Sequence, residues 1–308
     1  MTDRNVKNIA ASVHQRLLNA AKQASRPFNE LLQYYAIERF LYRLSKSAYV
    51  DRFFLKGALT LFVLRTPVTR PTRDIDLLGK IDNDLEVIRA TIARICEQKV
   101  VPDGLLFDPA SVTTERIAED ADYHGVRAKF RGSLGNAQIA MQIDIGFSDV
   151  MTPGPVAISY PSILDHPRAD LQAYNCETVI AEKFEAMVKL GTLNSRMKDF
   201  FDVWALSQHF EFDGRELAEA IAKTFVRRET PIVTDAVCFG ADFAATPSKS
   251  AQWSAFLRTG RLTDTPTHFP EIVDRVRGFL RPVAEKLAAG EAFTGIWSPG
   301  GPWRERTR

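Results

Sequence analysis

The stretch with the clearest capacity for chemistry is residues 72–77, TRDIDL, in which two aspartates alternate with apolar residues. In a β-strand successive side chains point to opposite faces, so Asp74 and Asp76 are predicted to emerge together on one face. Two neighbouring carboxylates repel each other unless a cation neutralises them, and oxygen ligands of this kind suit Mg²⁺ or Mn²⁺. The alternative is an exposed pair on a sheet edge, with Arg70 or Arg73 as a surface partner.

A glycine turn lies upstream of this pair. Lys56, Gly57 and Ala58 stand between a predicted strand and a predicted helix, ALTLFVLR. At such a junction backbone N–H groups and the helix dipole receive a phosphate, and glycine lets the backbone approach an anion closely. One glycine before a helix is a weak signal. The loop with Pro67 and Pro71 and the aspartate pair that follow make it more specific.

A third carboxylate lies in the segment 137–147, AQIAMQIDIGF. Its alternation predicts a strand with an isoleucine-rich face and an opposite face that carries Gln142 and Asp144. An aspartate on a central strand requires a partner, because an unpaired charge near the core is costly. That partner is either a nearby arginine, in a salt bridge, or a metal ion; the other two aspartates favour a third metal ligand.

Cationic side chains also occur at informative positions. In the predicted helix 177–190, Lys183 lies on the side of the apolar stripe, where a lysine either extends to solvent or reaches an anion; we favour a nucleotide phosphate. Arg196 and Asp199 lie at the start of a further predicted helix, where the simplest interpretation is an i,i+3 ion pair and a favourable interaction with the helix dipole.

The segment HGVRAKFRG places a ladder of basic residues on one strand face. Arg127, Lys129 and Arg131 alternate with apolar residues, so all three share a face. Such a face is ordinarily solvated. If it adjoins the predicted metal site, it is predicted to hold a polynucleotide backbone.

The remaining sequence predicts the elements that position these residues. Two helices, 6–24 and one that follows Ser25, precede the glycine turn, and a helix that Asp84 caps precedes a strand-rich stretch, 105–160. Beyond Pro161 the patterns are helical, at 177–190, 196–209, 215–226, 249–259 and 269–289, and the tail from Phe293 is predicted to be irregular. We therefore predict two domains, residues 1–165 and 166–308.

Composition excludes several classes of protein. The chain has 308 residues, 45% of them apolar and 25% charged, with a net charge of +2, as in ordinary globular proteins. Its three cysteines and five histidines show no metal-binding spacing, and neither a Walker-type nor a Ser/His/Asp pattern is present. With no signal peptide or membrane-spanning pattern, we expect a cytoplasmic protein and no membrane partner.

Taken together, these motifs resemble the AbiEii/AbiGii toxin-type branch of the polymerase-β-like nucleotidyltransferase superfamily, which occurs in abortive-infection and type IV toxin–antitoxin systems. The resemblance covers about residues 30 to 210. The matching motifs are Lys56-Gly57-Ala58, Arg73-Asp74-Ile75-Asp76, Asp144-Ile145-Gly146-Phe147, Ala181-Glu182-Lys183 and Arg196-Met197-Lys198-Asp199-Phe200-Phe201-Asp202.

The resemblance implies an α+β fold: an N-terminal polymerase-β-like nucleotidyltransferase domain with a mixed sheet and flanking helices, followed by a mostly helical domain. It also implies roles for individual residues. The metal ligands are Asp74, Asp76 and Asp144; Lys183 and Asp199 join them in catalysis; and the nucleotide is bound by Lys56, Gly57, Ala58, Arg73, Lys183 and Arg196.

The activity that the resemblance implies is transfer of a nucleoside monophosphate from an NTP to an acceptor hydroxyl, with Mg²⁺ or Mn²⁺ as cofactor. The implied acceptor is RNA, specifically the 3′ end of a tRNA, and the implied partner is an antitoxin protein. Two alternatives remain open at the level of the sequence. One is a nucleotidyltransferase that modifies a protein or a small molecule, and the other is a non-catalytic module that binds RNA or nucleotides.

Overall fold

A computed structural model of the chain describes residues 8–63, 72–120 and 123–306. Pro67, Arg70 and Pro71 lie outside the described residues, as does the beginning of the helix predicted from residue 6. The described residues form two compact units: 8–63, 72–148 and 156–173 belong to the first, and 149–155 and 174–306 to the second. The division into domains at 165/166 stays a prediction.

The first unit is built on a seven-stranded mixed sheet. Its helices are α1 (Ile9–Gln23), α2 (Phe28–Lys46), α3 (Ala58–Val63) and α4 (Leu85–Cys96). Its strands are β1 (Phe53–Lys56), β2 (Ile75–Gly79), β3 (Leu105–Asp120), β4 (Tyr123–Leu134), β5 (Ala137–Gly146), β6 (Val156–Tyr160) and β7 (Ala169–Ala173). They lie in the order β3-β4-β5-β2-β1-β7-β6, and β2–β5 and β1–β7 are the parallel pairs. The predicted α+β fold with a mixed sheet is confirmed.

Alternation of apolar and polar residues decides which face of this sheet is buried. Along β5, Ile139, Met141, Ile143 and Ile145 are buried, whereas the residues between them are more exposed. Helix α2 packs on β5 and β7, and α4 packs on β3 and β4. The apolar face of the sheet thereby forms the core, and the opposite face of β5 keeps its polar side chains.

The second unit is mostly helical. Its helices are α5 (Cys176–Leu190), α6 (Met197–His209), α7 (Gly214–Arg227), α8 (Ala241–Ala245), α9 (Pro247–Gly260) and α10 (Phe269–Ala288). Helix α5 begins after Asn175, whose side chain accepts a hydrogen bond from the Thr178 N–H at 2.7 Å, as an N-cap does. Within the described part of the chain, no helix is both long and apolar enough to cross a membrane.

The C-terminal tail is more regular than the sequence predicted. The short strands β8 (Phe212–Asp213), β9 (Ile296–Trp297) and β10 (Trp303–Arg304) form a three-stranded antiparallel sheet. The indole N–H of Trp297 donates to the Ser207 carbonyl at 2.7 Å, and that of Trp303 donates to the Phe279 carbonyl at 2.8 Å. These aromatic contacts order a Gly- and Pro-rich segment whose local composition predicts no regular structure.

Candidate active site

A row of four charged side chains crosses the polar face of the sheet in the first unit. Lys56 on β1 is in register with Asp76 on β2, and Asp76 is in register with Asp144 on β5. Asp144 in turn is opposite Arg127 on β4. Because residues in register on neighbouring strands point to the same face, the row presents its charges in the order positive, negative, negative, positive.

Asp74 adds a second carboxylate immediately before the same strand. It precedes Ile75, whose partner on β5 is Ile143, and Asp74 and Gln142 line one cavity. The side chains of Asp74 and Asp76 are half-buried, whereas Arg73 is exposed. The structure thus places Asp76 beside Asp144 on the next strand, with Asp74 two residues before Asp76 at the start of β2.

Arg127 holds Asp144 in a two-pronged ion pair. Its Nε donates to Oδ1 at 2.8 Å and its terminal nitrogen donates to Oδ2 at 2.7 Å. The hydrogen bond to Asp144 raises the pKa of Arg127 above its ordinary value. The salt bridge to an arginine, one of the two partners considered for Asp144, is therefore present, and both carboxylate oxygens take part in it.

The available ligand atoms determine which metal ion could bind here. Asp74 and Asp76 offer carboxylate oxygens, which is the chemistry that Mg²⁺ and Mn²⁺ prefer. Among residues 8–63, 72–120 and 123–306, no group of three or more His, Cys, Asp or Glu side chains is arranged to hold a metal ion. The aspartate pair has the donor chemistry for a divalent cation, whereas both oxygens of Asp144 are engaged by Arg127.

The turn at Gly57 lies directly against the Asp76 carboxylate. Gly57 has a φ of +71°, in the left-handed region that favours glycine. A Cβ atom at this position would collide with the carboxylate, coming within 2.9 Å of its Cγ. The side chain of Ala58 is buried, so this residue offers a ligand only its backbone.

A second charged cluster lies in the second unit, between α5 and α6. Lys183 Nζ contacts Asp199 Oδ1 at 2.8 Å and Asp202 Oδ2 at 2.7 Å, and both aspartates are fully buried. Arg196 Nε lies 2.7 Å from the other oxygen of Asp199. Asp199 and Asp202 are three residues apart on one helix, so their side chains share a face towards the lysine.

The balance between burial and neighbouring charges determines the protonation state of Asp199. Burial on its own would raise the pKa of this carboxyl, but the neighbouring Lys183 and Arg196 outweigh it, so the pKa is lowered below its ordinary value. Asp199 is therefore ionised at neutral pH. Lys183 has carboxylate contacts on α6; its proposed contact with a nucleotide phosphate stays a prediction.

A lysine that the sequence analysis overlooked supports the segment before α6. Lys249 is buried, and its Nζ donates to the carbonyl oxygens of Thr192 and Asn194 at 3.1 and 2.6 Å. The side chain of Asn194 accepts a hydrogen bond from the Arg196 N–H at 2.8 Å. These hydrogen bonds hold the backbone of the segment that leads into α6, and so position Arg196 and Asp199.

Glu182, the neighbour of Lys183 in the sequence, belongs to a different network. It lies 3.5 Å from Arg228, which also contacts Asp149 at 2.8 Å and Glu185 at 3.0 Å. All four side chains are largely buried. The two charged residues of the Ala-Glu-Lys motif therefore belong to different networks: Glu182 to the one around Arg228, and Lys183 to the cluster with Asp199 and Asp202.

The sequence contained an unused signal for the pairing of Arg127 with Asp144. Strands β4 and β5 are joined by Gly135 and Asn136 alone, with Gly135 at a φ of +58°. A two-residue Gly-Asn turn of this kind predicts a tight hairpin. Counting outward from it places residue 127 opposite residue 144, as the structure does.

Comparison with known proteins yields one family match. A family model described as "Nucleotidyl transferase AbiEii toxin, Type IV TA system" matches residues 39–275. Similar solved structures include JHP933 from Helicobacter pylori, with 15% identity, a TM-score of 0.47, and 91% of this chain and 95% of that chain covered. Another, provisionally described as a nucleotidyltransferase from H. pylori, has 15% identity and a TM-score of 0.45, with 95% and 100% covered. No curated protein matches the chain.

The contact between Gly57 and Asp76 predicts a specific loss of stability. In Gly57→Ala the left-handed backbone alone costs about 1–3 kcal/mol, and the collision with the carboxylate adds to it. Gly290→Ala is the matched control, because Gly290 also has a φ of +71° but has no atom within 4 Å of its Cβ position. Urea unfolding should show a larger loss for Gly57→Ala; equal losses would contradict the contact.

The lowered pKa of Asp199 predicts the direction of a pH effect. Its ionised form stabilises the folded state above the ordinary carboxyl pKa of 3.8, and this contribution is lost as the pH falls through the lower folded value. We expect Asp199→Asn to cost about 3 kcal/mol at pH 7, as loss of a buried charge partner does, and less below pH 3.8.

The measurement is the free energy of unfolding of Asp199→Asn as a function of pH. The control variant is Asp170→Asn, which makes the same change of side chain at an exposed position on β7. A cost for Asp199→Asn that stays constant down to pH 3 would rule out a lowered pKa.

Proposed function

Because the chain belongs to the AbiEii nucleotidyl transferase toxin family of type IV toxin–antitoxin systems, we propose that it transfers a nucleoside monophosphate from an NTP to a hydroxyl group of RNA. The proposed acceptor is the 3′ end of a tRNA, and the proposed partner is an antitoxin protein. The cytoplasm is the proposed location. The observation that carries the proposal is the row of Lys56, Asp76, Asp144 and Arg127, with Asp74 beside it.

The reaction joins the acceptor oxygen to the α-phosphorus and breaks the bond between the α-phosphorus and the bridging oxygen, so that pyrophosphate leaves. Positioning and neutralisation of charge supply most of the catalysis in such reactions. The backbone at Gly57 is proposed to hold phosphate oxygens beside Asp76, and Lys56 and Arg73 to offset their charge. These roles use only backbone N–H groups and cations already next to the carboxylates.

Asp74 and Asp76 are the residues that would hold a divalent ion. A bound Mg²⁺ or Mn²⁺ would offset the negative charge of the triphosphate and of the leaving pyrophosphate. Asp144 is proposed to complete this site and to take up the acceptor proton; Arg127, which is paired with both of its oxygens, competes for them.

Three residues of the second unit also have proposed roles. Lys183 and Arg196 are proposed to neutralise phosphate charge, and Asp199 to orient Lys183. The geometry that supports this is the contact of one Asp199 carboxylate with both cations, at 2.8 and 2.7 Å. Lys249 supports the backbone from which Arg196 extends.

Transfer of label tests the proposed function. The protein is incubated with each α-labelled NTP, Mg²⁺ and total tRNA, and the labelled species are separated. We expect label on tRNA, and a loss of roughly a hundredfold or more in Asp74→Asn and Asp76→Asn, because metal-assisted charge stabilisation is worth several kcal/mol. Asp170→Asn, on an exposed strand position of the same sheet, is the control.

Two results would refute the proposal. Label that appears on protein or a small molecule instead of tRNA would assign a different acceptor. Transfer to tRNA that survives both substitutions would remove the aspartate pair from the mechanism.

The ion pair of Asp144 predicts an effect on metal affinity. Arg127→Gln removes a positive charge beside the carboxylates and releases both oxygens of Asp144. A unit charge and a divalent ion roughly 8 Å apart repel each other by about 1 kcal/mol in a well-solvated site, so Mn²⁺ should bind roughly fivefold more tightly. Calorimetric titration with Mn²⁺ in the absence of nucleotide measures this directly.

The control for this titration is Arg89→Gln, which removes an exposed arginine that is paired with Glu86 on α4. It should leave the affinity for Mn²⁺ unchanged. Unchanged or weaker binding in Arg127→Gln would mean that Asp144 does not join the metal site.

A further inference from the structure

The polar face of the sheet continues beyond the aspartates into a cavity of about 660 Å³. Arg73, Asp74, Thr113, Lys129, Arg131 and Gln142 are among its lining residues. This volume lies within the range of ligand-binding clefts in proteins. All lining residues belong to the first unit, and Asp74 connects the cavity with the proposed metal ligands.

The order of the strands separates this cavity from the Gly57 turn. Strand β1, which leads into Gly57, lies on one side of β2, and β5, β4 and β3 lie on the other. The lining residues Lys129, Arg131 and Gln142 are on β4 and β5. If the triphosphate occupies the Gly57 side, the cavity on the β4–β5 side is left for the second substrate, the acceptor.

The shape of the cavity follows from an irregularity in β3. The pairing of β3 with β4 shifts between Asp108 and Thr113, so the strand bulges. Ala110 and Ser111, within the bulge, line the cavity. Bulges of this kind are common next to functional sites, where they redirect side chains. The exposed Ala140 on β5 is a small lining residue that leaves room for a ligand.

The charges of the cavity suit a chain of phosphates. Lys129 is 50% exposed and pairs with Glu115, and Arg131 is 70% exposed and pairs with Asp108. Exposed ion pairs of this kind contribute only about 0–1 kcal/mol, so either cation can exchange its carboxylate for a phosphate at little cost. Thr113 and Gln142 supply neutral hydrogen-bonding groups.

We propose that this cavity binds the sugar–phosphate backbone of the single-stranded end of the RNA acceptor, next to its reacting hydroxyl; the proposal rests on the proposed function. Lys129 and Arg131 neutralise phosphates, and Thr113 and Gln142 hydrogen-bond to them or to ribose. The aromatic ring in the lining, Phe130, is buried, so no lining aromatic side chain is available to stack on bases. Such contacts position a strand without selecting its sequence.

The experiment compares two pairs of substitutions with the same change in charge. Lys129→Gln with Arg131→Gln alters the cavity. Lys223→Gln with Arg89→Gln alters equally simple surface pairs, because Lys223 is 52% exposed beside Glu219 and Arg89 is 45% exposed beside Glu86. Binding of a fluorescent single-stranded RNA and of tRNA is measured at several salt concentrations, together with the KM values for tRNA and NTP.

The cavity variant is expected to bind RNA roughly tenfold more weakly near 0.15 M salt. The slope of log K against log salt should flatten by about 1.4, because each lost phosphate contact to a single strand contributes about 0.7. The KM for tRNA should rise while the KM for NTP stays unchanged, and the surface variant should behave as the native protein does.

A second pair of variants tests the cavity without changing charge. Ala140→Phe fills it, and Ala157→Phe places the same ring at an exposed position of β6 in the same sheet. Ala140→Phe should weaken RNA binding without changing the salt slope, whereas Ala157→Phe should not weaken it. RNA binding that is lost in the Lys129→Gln, Arg131→Gln variant but intact in Ala140→Phe would place the RNA outside the cavity and overturn the proposal.

The outcomes separate this inference from the proposed function. If the native protein labels tRNA but the cavity variant keeps its RNA affinity and salt slope, the inference fails and the function stands. If the native protein labels a protein acceptor and the cavity variant impairs that transfer with RNA binding intact, both fail. Absence of RNA binding by the native protein also overturns the inference.

Discussion

Repulsion between like charges on one face of a sheet is the constraint around which the first unit is organised. Asp76 and Asp144 lie on adjacent parallel strands, which are about 4.8 Å apart, so two negatively charged carboxylates lie side by side and repel each other. Cations flank the pair in the same row, with Lys56 on one side and Arg127 on the other. The row as a whole is neutral. Neutrality over four strands lets acidic groups stay on a sheet whose other face is apolar core.

The second unit meets the same constraint with helices. Asp199 and Asp202 share one face of α6 and are buried, where an isolated carboxylate would be very costly. Lys183 on α5 contacts both of them, and Arg196 pairs with the first. In each unit, therefore, acidic residues are held in place by cations that come from different elements. Substitution of one member changes the charge balance of the whole group.

Gly57 shows how a backbone requirement and a charge requirement meet at one residue. The left-handed φ favours glycine, and the Asp76 carboxylate occupies the space that a side chain would need. The turn therefore presents backbone, and not side chain, next to the acidic row. Lys249 has the corresponding function near Arg196, where a buried ammonium group organises backbone carbonyls. At both positions the residue determines the local backbone conformation, and the charged side chains nearby depend on that conformation.

By itself, the sequence determined which residues share a face. Alternation predicted the buried face of β5 and the shared face of Arg127, Lys129 and Arg131, because side-chain direction along a strand is a local property. The short turn at Gly135 even determined that residue 127 faces residue 144. Tertiary structure alone decided that β2 lies between β1 and β5, that Lys183 contacts Asp199 and Asp202, and that the tail pairs as strands. These pairings join segments distant in the chain, and they depend on how whole helices and strands pack, which no local pattern encodes.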